Sequence, residues 1–271
     1  MTRANASESK PSAFPAQSRR RVVLLGASNL TRSFSTVVAL LRLMWGPQLE
    51  IMAAMGHGRS YGKTTRVLVR ELPGIVDCGI WRAIERAPRT ECVALVTDIG
   101  NDVVYGASTC QIAEWVDQCL TRLAAANIRT AVTLLPIENL LALERLRYYL
   151  FRNLNYPACR LSLQDACGRA SELNELVRDL AQRRGVAAIT QRRDWYGLDP
   201  IHIRFGARWR AWREILSVWL DQPERDRLST VRRRPTPLQG LRPERRTMFG
   251  REQFHDQPCR TLPGGTSIAL Y

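Results

Sequence analysis

The feature that most narrows what this chain can fold into is a hydrophobic period that switches repeatedly between two modes. Short runs that are apolar at nearly every position occupy residues 22–25, 49–53, 93–97, 130–135 and 186–189. A run of that kind suits a strand covered on both faces, as in a parallel sheet. Between the runs, apolar residues return at helical spacing: Phe34, Val37, Val38 and Leu41; Ile112, Trp115, Cys119 and Leu123; Leu173, Leu176, Val177 and Leu180. A last helix presents Phe205, Trp209, Trp212, Ile215, Leu216 and Trp219. Strands alternating with amphipathic helices predict an α/β protein. Its expected form is a three-layer α/β/α domain over residues 21–220, built on a mainly parallel five-stranded sheet. The helix-rich stretch 136–157 reads as a cap or lid, with Tyr148 and Tyr149 as packing residues.

Composition bears on the ends. The 271 residues are 45% hydrophobic, enough for one sizeable core, and carry a net charge of +15. Residues 221–271 hold ten arginines against six acids and are rich in proline. That segment is expected to be an unstructured basic tail, and residues 1–20 a disordered leader. The seven cysteines (Cys78, Cys92, Cys110, Cys119, Cys159, Cys167 and Cys259) are scattered without a C-x-x-C pair, which speaks for reduced thiols in a cytoplasmic protein. The first twenty residues lack the apolar stretch of a secretory signal, and no run approaches eighteen apolar residues, so no membrane span is expected.

Ligands of an open parallel sheet bind beyond the carboxyl ends of its strands. Gly26-Ala27-Ser28-Asn29 follows the first run, and Met55-Gly56-His57-Gly58-Arg59-Ser60-Tyr61-Gly62 the second. Asp98-Ile99-Gly100-Asn101-Asp102 follows the third, and Asp199-Pro200-Ile201-His202 comes after the fifth. These are the parts acyl transfer requires: a hydroxyl nucleophile, a base, a carboxylate to orient the base, and N–H donors for the oxyanion. Of the three histidines, His255 lies in the expected tail and His57 has no carboxylate nearby in sequence. His202, three residues after Asp199, is the candidate base. Ser28 sits between a strand and a helix, so its N–H lies at a helix N-terminus. Gly62, at the start of another expected helix, offers a second N–H, and Asn101 a side-chain donor. Each residue taken singly also has an ordinary role, Ser28 as a helix cap and Gly62 or Asn101 as turn formers.

Together, the blocks VVLLGASNL, SYGKTTRVLVRELP, VTDIGNDVVYG and LDPIHIRFGARWRAW resemble, in order, the four blocks of the SGNH (GDSL-type) hydrolases. The resemblance implies a flavodoxin-like fold and a serine esterase that needs no metal or organic cofactor and acts on a small-molecule or acylated ester or thioester. It implies Ser28 as nucleophile, His202 as base, Asp199 as its orienting carboxylate, and Ser28, Gly62 and Asn101 as the oxyanion hole. Gly58 stands as an alternative to Gly62. Ala27 replaces the family's usual aspartate before the serine, which leaves open how the nucleophile's surroundings are hydrogen-bonded, and Ile99 replaces the first glycine of the third block.

Two other classes compete. Gly62-Lys63-Thr64 resembles the end of a phosphate-cradling P-loop, although His57 stands where such a loop needs its first glycine. The arginine clusters Arg232-Arg233-Arg234 and Arg245-Arg246 suit a tail that contacts nucleic-acid phosphates.

Overall fold

The computed structural model describes residues 19–156, 159–230 and 238–271. The first half of the chain runs β1 (Arg20–Leu25), α1 (Ser28–Trp45), β2 (Leu49–Ala54), β3 (Thr65–Val67), β4 (Arg70–Leu72), α2 (Ile80–Arg86), β5 (Cys92–Val96), α3 (Asn101–Val104), α4 (Thr109–Ala125) and β6 (Arg129–Thr133). It continues through α5 (Ile137–Leu141), α6 (Arg145–Asn155), α7 (Leu163–Arg183), β7 (Ala187–Ile189), α8 (Arg208–Leu216) and α9 (Gln222–Thr230). The last elements are β8 (Arg245–Met248), β9 (Arg251–Phe254), β10 (Arg260–Thr261) and β11 (Ser267–Leu270).

The central sheet has the order β10-β11-β2-β1-β5-β6-β7, parallel throughout except where β10 meets β11. The apolar runs behave as their composition demands. Val22, Leu24, Ile51, Ala53, Val93 and Leu95 enter a core shared with α1 and α8. Their neighbours Val23, Leu25, Met52, Ala54, Ala94 and Val96 enter the opposite core, against α2, α4 and α7. β1, β2 and β5 are thus buried on both faces, giving the three-layer α/β/α arrangement. Leu25 is level with Ala54 on one side and Val96 on the other, so the loops after β1, β2 and β5 leave the sheet together. The chain crosses from β1 to β2 on one side and to β5 on the other, which makes the carboxyl end of β1 the topological switch point.

Three expectations are corrected. The sheet has seven strands rather than five. The additional two come from the segment expected to be an unstructured tail: β11 pairs with β2, and β10 with β11. β11 is a buried Ser-Ile-Ala-Leu strand, and Ile268 is fully buried. Within the same segment, Arg245 pairs with Glu252 across the β8–β9 hairpin and Arg246 Nε donates to Gln253 Oε1 at 2.9 Å, so this cluster belongs to folded chain. Residues 1–18 of the expected leader, and Arg232-Arg233-Arg234, lie outside the described residues.

The third correction concerns the helix expected after Gly62. Residues 65–72 form the β3–β4 hairpin, which joins β8 and β9 in a second, antiparallel sheet. Thr65, Val67 and Val69 are β-branched at alternate positions, a strand period rather than a helical one. The P-loop reading fails for the same reason, because a phosphate cradle needs a helix N-terminus after its lysine and Lys63-Thr64 leads into a strand. Among the described residues no helix is long and apolar enough to cross a membrane.

Candidate active site

Ser28 opens α1 immediately beyond β1. Gly26 makes the turn possible: a Cβ there would fall 2.7 Å from Thr97 Cγ2 at the end of β5. The first N–H groups of a helix lack intrahelical partners, and here a carboxylate from another loop takes two of them. Asp98 Oδ2 accepts from Ala27 N at 2.9 Å and Leu30 N at 3.1 Å. Asp98 holds φ +60°, a left-handed conformation that aspartate tolerates better than most residues. Ala27 is fully buried and has no side-chain acceptor, and Asp98 supplies the carboxylate at this helix start. The Ser28 N–H, between the two capped positions, has no hydrogen-bond partner among the described residues.

His202 reaches this helix from the other end of the domain. Its Nε2 lies 2.9 Å from Ser28 Oγ across 174 positions of sequence, and its Nδ1 lies 2.6 Å from Asp199 Oδ2. With Nδ1–H donating to the carboxylate, Nε2 is left as the acceptor for the serine hydroxyl. Asp199 also shapes the loop, since its Oδ1 accepts from Ile201 N at 3.2 Å and His202 N at 3.1 Å. Burial raises the Asp199 carboxyl, but the hydrogen bond and charge of His202 and the two backbone amides outweigh it and hold the group below its ordinary value. Arg32, one turn along α1, stands 3.6 Å from the same carboxylate.

A second tether joins α1 to this loop. Asn29 Nδ2 donates to Ile201 O at 2.8 Å, and Asn29 Oδ1 accepts from Ile203 N at 2.8 Å, so the amide brackets His202 on both sides.

The second and third blocks interlock. Asp102 is fully buried and accepts from Ser60 Oγ and, at 2.9 Å, from Tyr61 N. Burial raises its carboxyl, against the Ser60 and Tyr61 hydrogen bonds. Tyr61 Oη donates to Thr97 O at 2.7 Å, which pins the second loop to the end of β5. The Gly62 N–H is already engaged, donating to Ser60 Oγ at 3.1 Å, and Lys63 N donates to the same oxygen at 2.8 Å. Gly62 is glycine because a Cβ would lie 1.9 Å from the Trp115 ring. To serve as the expected oxyanion donor, its N–H would have to leave Ser60 Oγ.

Gly58, the alternative, has φ +65°, its carbonyl accepts from Tyr105 Oη at 2.8 Å, and its N–H has no partner among the described residues. The Asn101 side chain donates one long bond, 3.3 Å, to Arg59 O, which leaves its second N–H available. His57 stands on the second loop and His255 just after β9; partial burial, followed by the charges of Arg70, Arg32 and His202, lowers the pKa of His57.

Ser28 and Asn101 line a cleft of about 920 Å³, counted with its open mouth. Its walls are mainly apolar, with Ile99, Val103 and Leu135 on the sheet side and Leu140, Leu143 and Tyr148 from the α5–α6 cap. The cap expected over residues 136–157 is thus present through Tyr156, while Pro157 lies outside the described residues. Tyr148 both packs and faces the cleft, its hydroxyl donating to Leu161 O at 3.1 Å. Among the described residues no three His, Cys, Asp or Glu side chains are grouped to hold a metal ion.

The sequence could have shown part of what it concealed. A helix start with alanine where the resembled family carries aspartate needs a carboxylate from elsewhere, and Asp98 ends the third apolar run. Nothing in the sequence marks Asn29, whose partners are both backbone groups.

No protein-family model and no curated protein matches the sequence. Solved structures do match in shape. A carbohydrate acetylesterase family member from Sinorhizobium meliloti aligns with 12% identity and a TM-score of 0.51, over 73% of this chain and 98% of that one. Est24, a carbohydrate acetylesterase from the same organism, aligns with 14% identity and a TM-score of 0.50, over 73% and 97%. The inhibitor-bound aryl esterase of M. smegmatis gives 12% identity and a TM-score of 0.50 over the same shares. The chain carries the α/β/α fold of the SGNH (GDSL-type) hydrolases that its four sequence blocks resemble.

Proposed function

We propose that this chain is an SGNH-type serine esterase that hydrolyses an ester or thioester through an acyl-enzyme on Ser28. The observation that carries the reading is the hydrogen-bonded series Ser28–His202–Asp199, closed at 2.9 Å and 2.6 Å between residues 174 positions apart. Both side chains are buried at this end of the sheet, and a hydroxyl needs such a base to become a nucleophile.

Ser28 Oγ attacks the acyl carbon as His202 Nε2 takes its proton, and the carbonyl π pair moves to oxygen. The Ser28 N–H and the Asn101 amide receive that oxyanion, with the backbone N–H of Gly62 or of its alternative Gly58 as the third donor. When the tetrahedral species collapses, His202 returns the proton to the departing alkoxide or thiolate. Water, deprotonated by the same imidazole, then repeats the sequence on the acyl-serine and releases the acid. Asp199 keeps the tautomer and stabilises the imidazolium. The apolar cleft beside Ser28 receives the acyl chain, in keeping with the esterase names its structural neighbours bear.

The test is turnover of a series of p-nitrophenyl esters by the full chain and by Ser28→Ala and His202→Ala. Each variant loses at least about a thousandfold in kcat. Rates near wild type in either variant, with the fold retained, would overturn the proposal.

A further inference from the structure

Charge is divided unevenly between the two faces of the second sheet. Residues directly opposite in its ladders share a face, and successive residues of a strand alternate. The register therefore puts Arg70, Met248, Arg246 and Arg251 on one face and Arg66, Glu71, Arg245 and Glu252 on the other. The second of these faces neutralises itself, with Arg66 standing 3.7 Å from Glu71 and Arg245 pairing with Glu252. Those two glutamates are the only carboxylates of the four strands, so the first face has three arginines and no acid. None of Arg70, Arg246 and Arg251 forms an ion pair among the described residues. Arg70 lies opposite Met248, which makes Arg246 its diagonal neighbour, within reach of a long side chain. Burial, followed by the charges of Arg59 and Arg246, lowers the pKa of Arg70. Two half-buried guanidinium groups held in this way repel one another, and an anion between them removes that cost.

The basic face leads to the site. The β3–β4 hairpin packs on the second loop so closely that a Cβ at Gly58 would fall 2.8 Å from Val67 Cγ2. Arg70 Nη2 donates to His57 O at 3.2 Å. Arg70, Arg32 and His202 all act on the His57 ring, so positive charge extends from the candidate base through His57 to Arg70 and Arg246. The apolar cleft lies on the opposite side of Ser28. In the sheet, β2 and its loop flank β1 on one side, and β5 and β6 lie on the other. Ile99 and Leu135, which follow β5 and β6, line the cleft, whereas no residue of the second loop does. An ester held at Ser28 thus meets an apolar wall on one side and arginines on the other.

We infer that the substrate's leaving group bears phosphate, which Arg70 and Arg246 bind beyond the second loop while the acyl chain occupies the apolar cleft. A pair of guanidinium groups without a carboxylate suits a phosphate or diphosphate, which brings more than one negative charge and several acceptor oxygens. The orientation of the substrate rests on the proposed acyl transfer at Ser28; the anion site itself does not.

The experiment compares two octanoyl thioesters with similar thiol leaving groups, that of N-acetylcysteamine, which is neutral, and that of coenzyme A, which carries phosphates. Wild type should turn over the phosphate-bearing thioester with a kcat/KM at least tenfold higher, an advantage that lies in KM and shrinks as salt is raised. The double variant Arg70→Gln, Arg246→Gln should lose that advantage and keep the wild-type rate on the neutral thioester. Arg246→Gln alone, which leaves the Arg70 bond to His57 O in place, should lose part of it. Binding is read separately by calorimetry with inorganic pyrophosphate. Ser28→Ala should bind it as wild type does, and the double variant at least tenfold more weakly. Absence of the advantage in wild type, or its persistence in the double variant, would overturn the inference. Absence of turnover on both thioesters, with pyrophosphate binding that depends on Arg70 and Arg246, would overturn the esterase reading and leave the anion site standing.

Discussion

Replacing Asn29 by alanine tests whether the proposed base is held from the helix that carries the proposed nucleophile. Asn29 makes two bonds of 2.8 Å, to Ile201 O and from Ile203 N, and Ile203 is 3% exposed. Truncation removes both and leaves a buried N–H without its acceptor. At about 1 kcal/mol for an ordinary bond and about 1–3 kcal/mol for a stranded buried group, the local cost is about 2–4 kcal/mol. Asp199 still grips the Ile201 and His202 amides, so the loop is expected to loosen rather than unfold. If about 2 kcal/mol of that cost appears as displacement of the imidazole from Ser28, kcat falls about thirtyfold. KM should change little, because the acyl cleft is untouched. Asn29→Asp keeps the acceptor for Ile203 but turns a carboxylate oxygen toward the Ile201 carbonyl, and should recover little of the rate. The assay is steady-state kinetics on a soluble p-nitrophenyl ester, with thermal unfolding measured in parallel. A kcat within twofold of wild type in Asn29→Ala, or an effect confined to KM, would refute the reasoning.

Other substitutions probe the supports of the site. Asp98→Ala removes the carboxylate that caps α1 through Ala27 and Leu30 and puts alanine at φ +60°; unfolding measurements should show a loss of about 2–4 kcal/mol together with reduced kcat, whereas Asp98→Asn keeps an acceptor and loses less. The Asp199 carboxyl is held below its ordinary value in the folded protein, so its contribution to stability is complete above the unfolded value of about 3.9 and is lost as pH falls through the lower native one. The Tm advantage of wild type over Asp199→Asn should be constant from neutrality to about pH 5 and shrink below about pH 4; an advantage undiminished at about pH 2 would contradict the shift. Ile268→Ala, in β11, should cost about 2–5 kcal/mol, a Tm drop of roughly 5–15 °C; an unchanged Tm would mean that this strand does not complete the sheet.

How much of this could be read in advance follows from where the stabilising contacts lie in sequence. The apolar runs announced β1, β2, β5 and β6 because a strand buried on both faces has to be apolar at nearly every position; β7, a short and mainly exposed edge strand, shares their composition without that burial. Helices α1, α4 and α7 were equally legible from their spacing, whereas the last helix spans only Arg208–Leu216 and leaves Phe205 before it and exposed. The strands of the last thirty residues were not. β11 is four residues long and is stabilised by β2, more than two hundred positions earlier, while β8 and β9 carry arginine, glutamate and glutamine on a largely exposed hairpin.

That Ser28, Asp199 and His202 meet could be anticipated because they follow strand ends and the D-x-x-H spacing is local. For Gly62, a glycine kept for the Trp115 ring looks the same in sequence as one kept for its N–H. The carboxylates of Asp98 and Asp102 act on backbone amides of other loops, a role that residue type alone does not disclose.

The central claim is that the Ser28 hydroxyl is the nucleophile and that His202 activates it. The most direct measurement is reaction of the full chain with a fluorophosphonate, followed by peptide mapping in wild type, Ser28→Ala and His202→Ala. The account predicts one adduct, on Ser28, formed with loss of esterase activity, absent from Ser28→Ala and slowed at least a hundredfold in His202→Ala. An adduct on another residue that accompanies inactivation, or labelling of Ser28 at an undiminished rate without His202, would contradict it.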